Sequence, residues 1–284
     1  MTTEIPGLVS IVIGCFNADP AHLSEALDSA LTQSYDDVEV IVVDDGSTRA
    51  DTRATLAEYE GRVQVVRQEN AGVAAARNAG VSVARGEFIQ IFDSDDRLGS
   101  NIVQQGTEVL RDEAVEIAYS SADVFGAENR YFEAGFEYSL SDIIDTNHIT
   151  GCAMVRRSRW VAIGGQYADL RDGYEDYEFW IRVLRDGGIA RRTPSARFHY
   201  RIRPGSRSGS ITEGAMDRTR DVVIRTNPHH HEELLRAAFR AMDRLDAEKR
   251  EYVAYVQQWQ RRTRPIIALR DTVRRIARPN SRSA

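Results

Sequence analysis

The 284-residue chain reads as an α/β protein: a mixed, mainly parallel sheet flanked by helices, with a C-terminal helical extension. Three observations predict this. From Leu8 to Phe92, short apolar runs rich in β-branched residues alternate with helical patterns, which implies right-handed parallel crossovers. Two of those runs stop abruptly in acid, Val38 to Val43 in Asp44-Asp45-Gly46-Ser47 and Phe88 to Phe92 in Asp93-Ser94-Asp95-Asp96. From about Glu213 the composition turns to charged helical sequence with little aromatic core.

Leu8 to Ile13 is expected as the first strand. Pro20 to Gln33 follows as a helix, because Leu23, Ala26, Leu27, Ala30 and Leu31 share one face. Val38 to Val43 is the second strand, Asp51 to Glu60 a short helix and Val63 to Val66 the third strand. Gly72 to Ala84 is an Ala-rich helix that Gly86 terminates, and Phe88 to Phe92 is the fourth strand. Beyond Asp96 the regularity weakens: a helix near Asn101 to Arg111, a strand near Ile117 to Ser120, then an irregular aromatic stretch from Phe125 to Tyr138. Ile149 to Val155 is read as a strand, Asp176 to Arg185 as a helix closed by Gly187-Gly188, and Ala196 to Arg203 as a strand. The Gly-, Ser- and Arg-rich segment Arg203 to Ser210 is expected to be a mobile loop. Glu232 to Arg244 and Glu248 to Arg261 read as two helices. The domain expectation is 1–212, in halves 1–98 and 99–212, followed by 213–284.

The formal charge of -6 argues against nucleic acid as the main partner. Cys15 and Cys152 are too few for a disulfide framework or a structural zinc site and read as small buried thiols. Met1 to Pro6 has no basic region followed by an apolar one, and no apolar run approaches a bilayer span, so a cytoplasmic location is expected. The tail from Arg261 to Arg278 is rich in arginine, with Asp271 its single acid, and Ile266, Ile267, Leu269, Val273 and Ile276 recur at near-helical spacing. Such a helix either lies on the anionic inner face of a membrane or packs as an ordinary terminus. The C-terminal helices also offer a homodimer interface.

Carboxylates this close together repel, and burial would raise their pKa values, so a cation or a solvated turn must absorb the charge. In an open parallel sheet, ligands bind in the crevice beyond the carboxyl ends of the strands. Both acidic clusters therefore fall in one crevice.

The motifs occur in a recognisable order. Val9-Ser10-Ile11-Val12-Ile13 leads to Phe16-Asn17, then come Val42-Val43-Asp44-Asp45-Gly46-Ser47 and Gln68 to Gly80, which contains Asn70-Ala71-Gly72 and Arg77-Asn78. Gly86-Glu87-Phe88, Asp93-Ser94-Asp95-Asp96 and Glu175-Asp176-Tyr177-Glu178-Phe179-Trp180 follow. Over roughly Val9 to Arg203 the chain resembles glycosyltransferase family 2, inverting enzymes of the GT-A fold that use a nucleotide-activated sugar.

The resemblance implies a nucleotide-sugar site made by Phe16, Asn17, Asp44, Asp45, Gly72, Arg77, Asn78, Asp93 and Ser94. Phe16 offers a flat face for a nucleobase, and Asp45 an acceptor for the imide N–H of uracil or thymine. The competing readings are a core aromatic for Phe16, an Asx turn for one of Asp44 and Asp45, and for Arg77 a simple ion pair with Asp93 or Asp44. The resemblance also implies a divalent cation, Mn²⁺ or Mg²⁺, with Asp95 as principal ligand beside Asp93. His199 is either a further ligand or a structural strand residue. Asp176 is expected as the base that takes the acceptor hydroxyl's proton, with Glu175 and Trp180 shaping the acceptor site; the alternative is an N-cap with first-turn acids, and for Trp180 plain packing. Arg201, Arg203 and Arg207 either close over the diphosphate or form a solvated basic loop.

The implied activity is transfer of one sugar from a UDP- or dTDP-sugar, UDP foremost, to a glycan, a lipid-linked saccharide or another hydroxyl acceptor. Two alternatives are a catalytically inactive GT-A binding module and a sugar-1-phosphate nucleotidyltransferase. The second requires a basic Gly-rich loop after strand one, and Gly14 to Asp19 holds no basic residue.

Overall fold

The computed structural model describes residues 3–171, 173–203 and 214–276, with side chains as far as residue 258. The first half follows the expected alternation: β1 (Ile5–Cys15), α1 (Pro20–Leu31), β2 (Val38–Asp45), α2 (Ala50–Glu58), β3 (Gln64–Gln68), α3 (Val73–Val83) and β4 (Gly86–Asp93). Then come β5 (Arg97–Leu98), α4 (Ile102–Val109), β6 (Val115–Gly126), β7 (Arg130–Phe132), β8 (Glu137–Tyr138) and α5 (Leu140–Ile143). β9 (Ala153–Arg156), α6 (Arg157–Ala162), α7 (Glu175–Leu184), β10 (Ile189–Ile202), α8 (Ala215–Thr226) and α9 (His231–Ile276) complete the order.

Among the described residues one sheet runs in the order β3-β2-β1-β4-β9-β6-β10-β5, with β7 on β6 and β8 on β10. β1 pairs in parallel with both β2 and β4, so the strand order reverses there. β9 is antiparallel to β4 and to β6, and makes the sheet mixed. The left half is apolar on both faces, as a sheet covered on both sides must be. Val9, Ile11 and Ile13 face α1 and α2, while Val12, Ile41 and Val43 face α3. Each fully buried aliphatic side chain of this kind contributes about 1.5–3 kcal/mol.

Local chemistry sets the helix positions. Asp19 caps α1 by accepting from the N–H groups of Ala21 and His22, with Pro20 at the first helical position. Gly80 lets α3 press onto β1, since a Cβ there would meet the Val12 Cγ1 at 2.5 Å. That approach brings Arg77, one turn earlier, down to the sheet.

The structure extends several expectations. β10 begins at Ile189 rather than Ala196. Arg191 and Arg192 hid its first half, yet Arg191 keeps its charge at the surface on Asp112 and Glu137 while the strand pairs beneath it. The stretch read as irregular holds the end of β6 and the short strands β7 and β8. The two helices expected at Glu232 to Arg244 and Glu248 to Arg261 form one continuous α9, since Leu245-Asp246-Ala247 contains no helix breaker. The expected domain boundary between residues 212 and 213 lies outside the described residues, and contacts divide the chain after Ala237. No described helix is long and apolar enough to cross a membrane.

Candidate active site

The strand reversal at β1 and β4 opens a cleft of about 480 Å³ beyond the carboxyl ends of the strands. Phe16 lies on one side, half exposed at 51 %, so it is not a core aromatic. Asp45, Asp93, Ser94, Asp95 and Asp96 line the floor, and Glu175 and Asp176 line the far wall.

Arg77 joins the walls. Its side chain is 1 % exposed, its Nη2 donates to Asp93 Oδ1 at 2.6 Å and its Nη1 donates to Glu175 Oε1 at 3.1 Å. Burial alone would lower the guanidinium pKa, but Asp93, Glu175 and Asp176 together raise it above its ordinary value. A permanent buried cation therefore holds acids from β4 and α7 together.

Asp44 and Asp45 have separate jobs. Asp44 Oδ1 accepts from the Ser47 N–H at 2.9 Å, which is the Asx turn. Asp45 accepts from Gln68 Nε2 and from the N–H groups of Ala71 and Gly72, at 2.7, 2.8 and 2.9 Å. Gly72 thus serves through its backbone. Asn17, in a left-handed conformation at φ 48, accepts from the Thr48 and Arg49 N–H groups and ties the loop after β1 to the loop after β2.

The turn after β4 is locked from β10. Asp96 is buried, burial and the neighbouring Asp93 push its carboxyl well above the usual range, and it accepts from the Arg201 N–H at 2.7 Å. Arg201 donates through Nε to the Asp95 carbonyl and through Nη2 to Glu25, and lies 4.3 Å over the Phe125 ring. Arg203 Nε donates to Asp95 Oδ2 at 2.8 Å. Arg207 lies outside the described residues.

α7 starts at the cleft from a left-handed Tyr174 at φ 62, preceded by Gly173. A non-glycine residue there is uncommon and marks a position the surroundings over-determine. Asp176 is half-buried, and its Oδ2 accepts from Asn147 Nδ2 at 3.4 Å. Trp180 is fully buried against Phe179 and does not line the cleft. Asn78 faces away as well, accepting from Trp160 Nε1 and the Gln166 N–H and donating to the Gln166 carbonyl. For His199 the surroundings favour the structural of the two readings. On β10 it alternates with Phe198 and Tyr200, which line the cleft, and its Nδ1 sits 3.7 Å from Asp123 on the other side of the strand. Burial and the cation of Arg97 lower its pKa.

Sequence reasoning missed Tyr200, Asn147, Thr150 and Gly151 in the lining, and placed Cys15 and Cys152 only as buried thiols, whereas both border the cleft. The strand period of two around His199 was the available signal for Tyr200. Burial pushes the Cys15 thiol up to about 11, which leaves it protonated and inert at neutral pH.

Among the described residues no group of three or more His, Cys, Asp or Glu side chains forms a cage for a metal. Asp93 at the end of β4 and Asp95 in the turn after it nevertheless bring hard oxygen donors into the open cleft, each paired to an arginine. That donor set fits a Mg²⁺-type cation held by one or two carboxylates together with substrate phosphates and water.

The comparisons with known proteins agree with this architecture. The family model described as glycosyl transferase family 2 matches residues 10–161, and the chain belongs to that family. An uncharacterized glycosyltransferase of Rickettsia felis is 26 % identical over 190 residues, covering 63 % of this chain and 31 % of the relative. The chain thus spans about a third of the length of that relative. The UDP-Glc:alpha-D-GlcNAc-diphosphoundecaprenol beta-1,3-glucosyltransferase WfaP of Escherichia coli is 27 % identical over 210 residues, covering 72 % of this chain and 80 % of the relative. Among solved structures, S. aureus TarS 1-349 in complex with UDP-GlcNAc matches with a TM-score of 0.68 at 18 % identity, covering 84 % of this chain and 71 % of that one. The fold is GT-A.

Proposed function

We propose that this chain is an inverting glycosyltransferase that moves one sugar from a UDP- or dTDP-sugar to a hydroxyl of a glycan or lipid-linked saccharide. The observation that carries the reading is the Arg77 bridge, which sets the β4 carboxylates and Asp176 on facing walls of one cleft. WfaP, named for a UDP-sugar donor and a diphosphoundecaprenol-linked acceptor, supports the donor and acceptor classes.

In this reading the nucleobase stacks on Phe16, and Asp45, which uses three of its roughly four acceptor positions on its own chain, keeps one for the imide N–H. Asp95 and Asp93 would hold a divalent cation, which supplies Lewis-acid neutralisation of the charge that develops on the diphosphate. Exchange of Arg203 from Asp95 to the diphosphate would accompany donor binding. Asp176 accepts the proton of the acceptor hydroxyl as that oxygen attacks the anomeric carbon from the face opposite the diphosphate. Its place in the first turn of α7 fixes it at the rim of the cleft, so it acts by position. Glu175 keeps Arg77 fixed behind it. The basic tail is proposed to hold the protein on the cytoplasmic face of an anionic membrane; deletion of residues 262–284 then releases it from anionic liposomes, and unchanged binding rejects that attachment.

The decisive experiment is isothermal titration with UDP, GDP and dTDP, each with and without Mn²⁺, repeated on Asp95→Ala. Metal-dependent binding of a pyrimidine diphosphate that the variant loses is the expected result. Absence of binding to all three overturns the donor site and favours an inactive module.

A further inference from the structure

α9 continues far past the last residues of the first compact unit. At 1.5 Å per residue its 46 residues span about 69 Å, and contacts assign everything from Ala238 onward to a separate unit. A helix of this kind with a polar surface all round would need no partner. This one is not polar all round: Met242, Leu245 and Tyr252 are exposed, as are the flanking Phe239, Val253 and Tyr255, each by 45 to 68 %.

Their spacing is regular. Starting at Leu235, the positions Ala238, Met242, Leu245, Lys249, Tyr252, Val256 and Trp259 fall three and four residues apart in alternation; beyond them Ile266 and Val273 keep the apolar d positions while Thr263 and Arg270 occupy the a positions. A period of 3.5 sustained over several heptads is the pattern of a left-handed coiled coil, with these residues at the a and d positions of the seam. The chain's only lysine, Lys249, occupies an a position. Together with Thr263 and Arg270 at later a positions, it fixes register and strand number at some cost in stability.

We propose that α9 pairs with α9 of a second copy of this chain as an antiparallel two-stranded coiled coil. Charge sets the orientation. Residues 259–276 carry six arginines and one acid, whereas residues 238–258 carry four charges of each sign. A parallel pair would stack the arginine-rich halves on each other, and an antiparallel pair lays each against the balanced half. With the two-fold axis near residue 254, Tyr252 meets Val256 of the second copy and Glu248 comes within two residues, about 3 Å along the axis, of Arg262. Five of the six arginines, at positions 261, 262, 264, 274 and 275, fall outside the a and d positions of the series. The area suffices: with Leu235 also exposed, seven apolar side chains per copy, at roughly 100 Å² apiece scaled from the 150–250 Å² an aromatic side chain buries, remove about 1,400 Å² in two copies, within the range of about 1,200–2,000 Å² for specific interfaces.

Sedimentation velocity of the full chain at micromolar concentration is the first test, with a dimer expected that Met242→Glu/Tyr252→Glu converts to monomer. The variant should keep the wild-type melting temperature of the catalytic unit, since both side chains are exposed. Spin labels at Ala254→Cys and, separately, at Arg240→Cys then read orientation, the native thiols being buried. The antiparallel pair predicts a distance within about 20 Å at residue 254 for helices 8–10 Å apart, and an axial offset of about 40 Å at residue 240. Short distances at both positions overturn the orientation. A wild-type monomer, including one that binds anionic vesicles through the same stripe, overturns the pairing, as does a variant that remains dimeric.

Discussion

The two walls of the cleft carry matched pairs of acids held in different ways. On the β4 side Asp93 neutralises Arg77 and Asp95 is paired with Arg203, a half-exposed side chain at the end of β10. On the α7 side Glu175 pairs with the same Arg77, and Asp176 feels the Arg77 charge as well as accepting from the amide of Asn147. Asp93 and Glu175 join the walls through Arg77, and all four carboxylates line the cleft. In the proposed reading Asp95 has an exchangeable cation, as a metal ligand needs, and Asp176 stands at a helix start, as a proton acceptor fixed in position needs.

Asp176→Asn sharpens that contrast most. Turnover should fall by about 10²- to 10⁴-fold, the usual contribution of a positioned base, with UDP affinity unchanged. An equal loss in donor binding would move Asp176 to the donor side. Arg77→Ala removes the element the two walls share and leaves Asp93 and Glu175 facing each other without it. Urea denaturation should show a loss of about 3–5 kcal/mol, typical when one partner of a buried ion pair is deleted; a loss below about 1 kcal/mol would mean the walls are held by other contacts.

Arg203→Ala addresses the exchangeable cation. Its ion pair is partly exposed, so stability should change by less than about 1 kcal/mol, while the Mn²⁺ concentration that half-saturates UDP binding falls by up to about fivefold, the same energy read as affinity. A rise instead would make Arg203 a diphosphate ligand first. The smallest effect is expected at His199. Its folded pKa lies below 6.5, so below that value the unfolded chain binds more protons and stability increases as pH rises toward 6.5. His199→Gln should flatten that slope and leave Mn²⁺-dependent UDP binding intact, and a loss of binding would return His199 to the metal site.

The strand-end acids were legible because their signal is local: an apolar run, then Asp, then turn residues. Trp180 was ambiguous for a geometric reason. It shares a helical face with Asp176, but Asp176 stands on the first turn at the rim while Trp180 lies one turn deeper, inside the core. His199 was open between two roles because a strand shows alternate residues to opposite sides, and only the pairing of Phe198 with Leu98 and Ala122 tells which side faces the cleft. Asn78 sits in the same motif as Arg77, yet one step along a helix turns its side chain to the Gln166 turn.

The chain's own order of residues determined the alternation of β1 to β4, the acids at their ends, the Asp19 cap and the heptads of α9, all of which depend on neighbours within a few positions. Tertiary structure alone decided that Arg77 would meet Glu175, 98 positions away, and that Asp96 would be closed off by the backbone of Arg201, 105 positions away. The reason is register: which side chains converge depends on how strands pair and how closely α3 approaches β1, and such long-range packing leaves no periodicity for a single stretch of sequence to show.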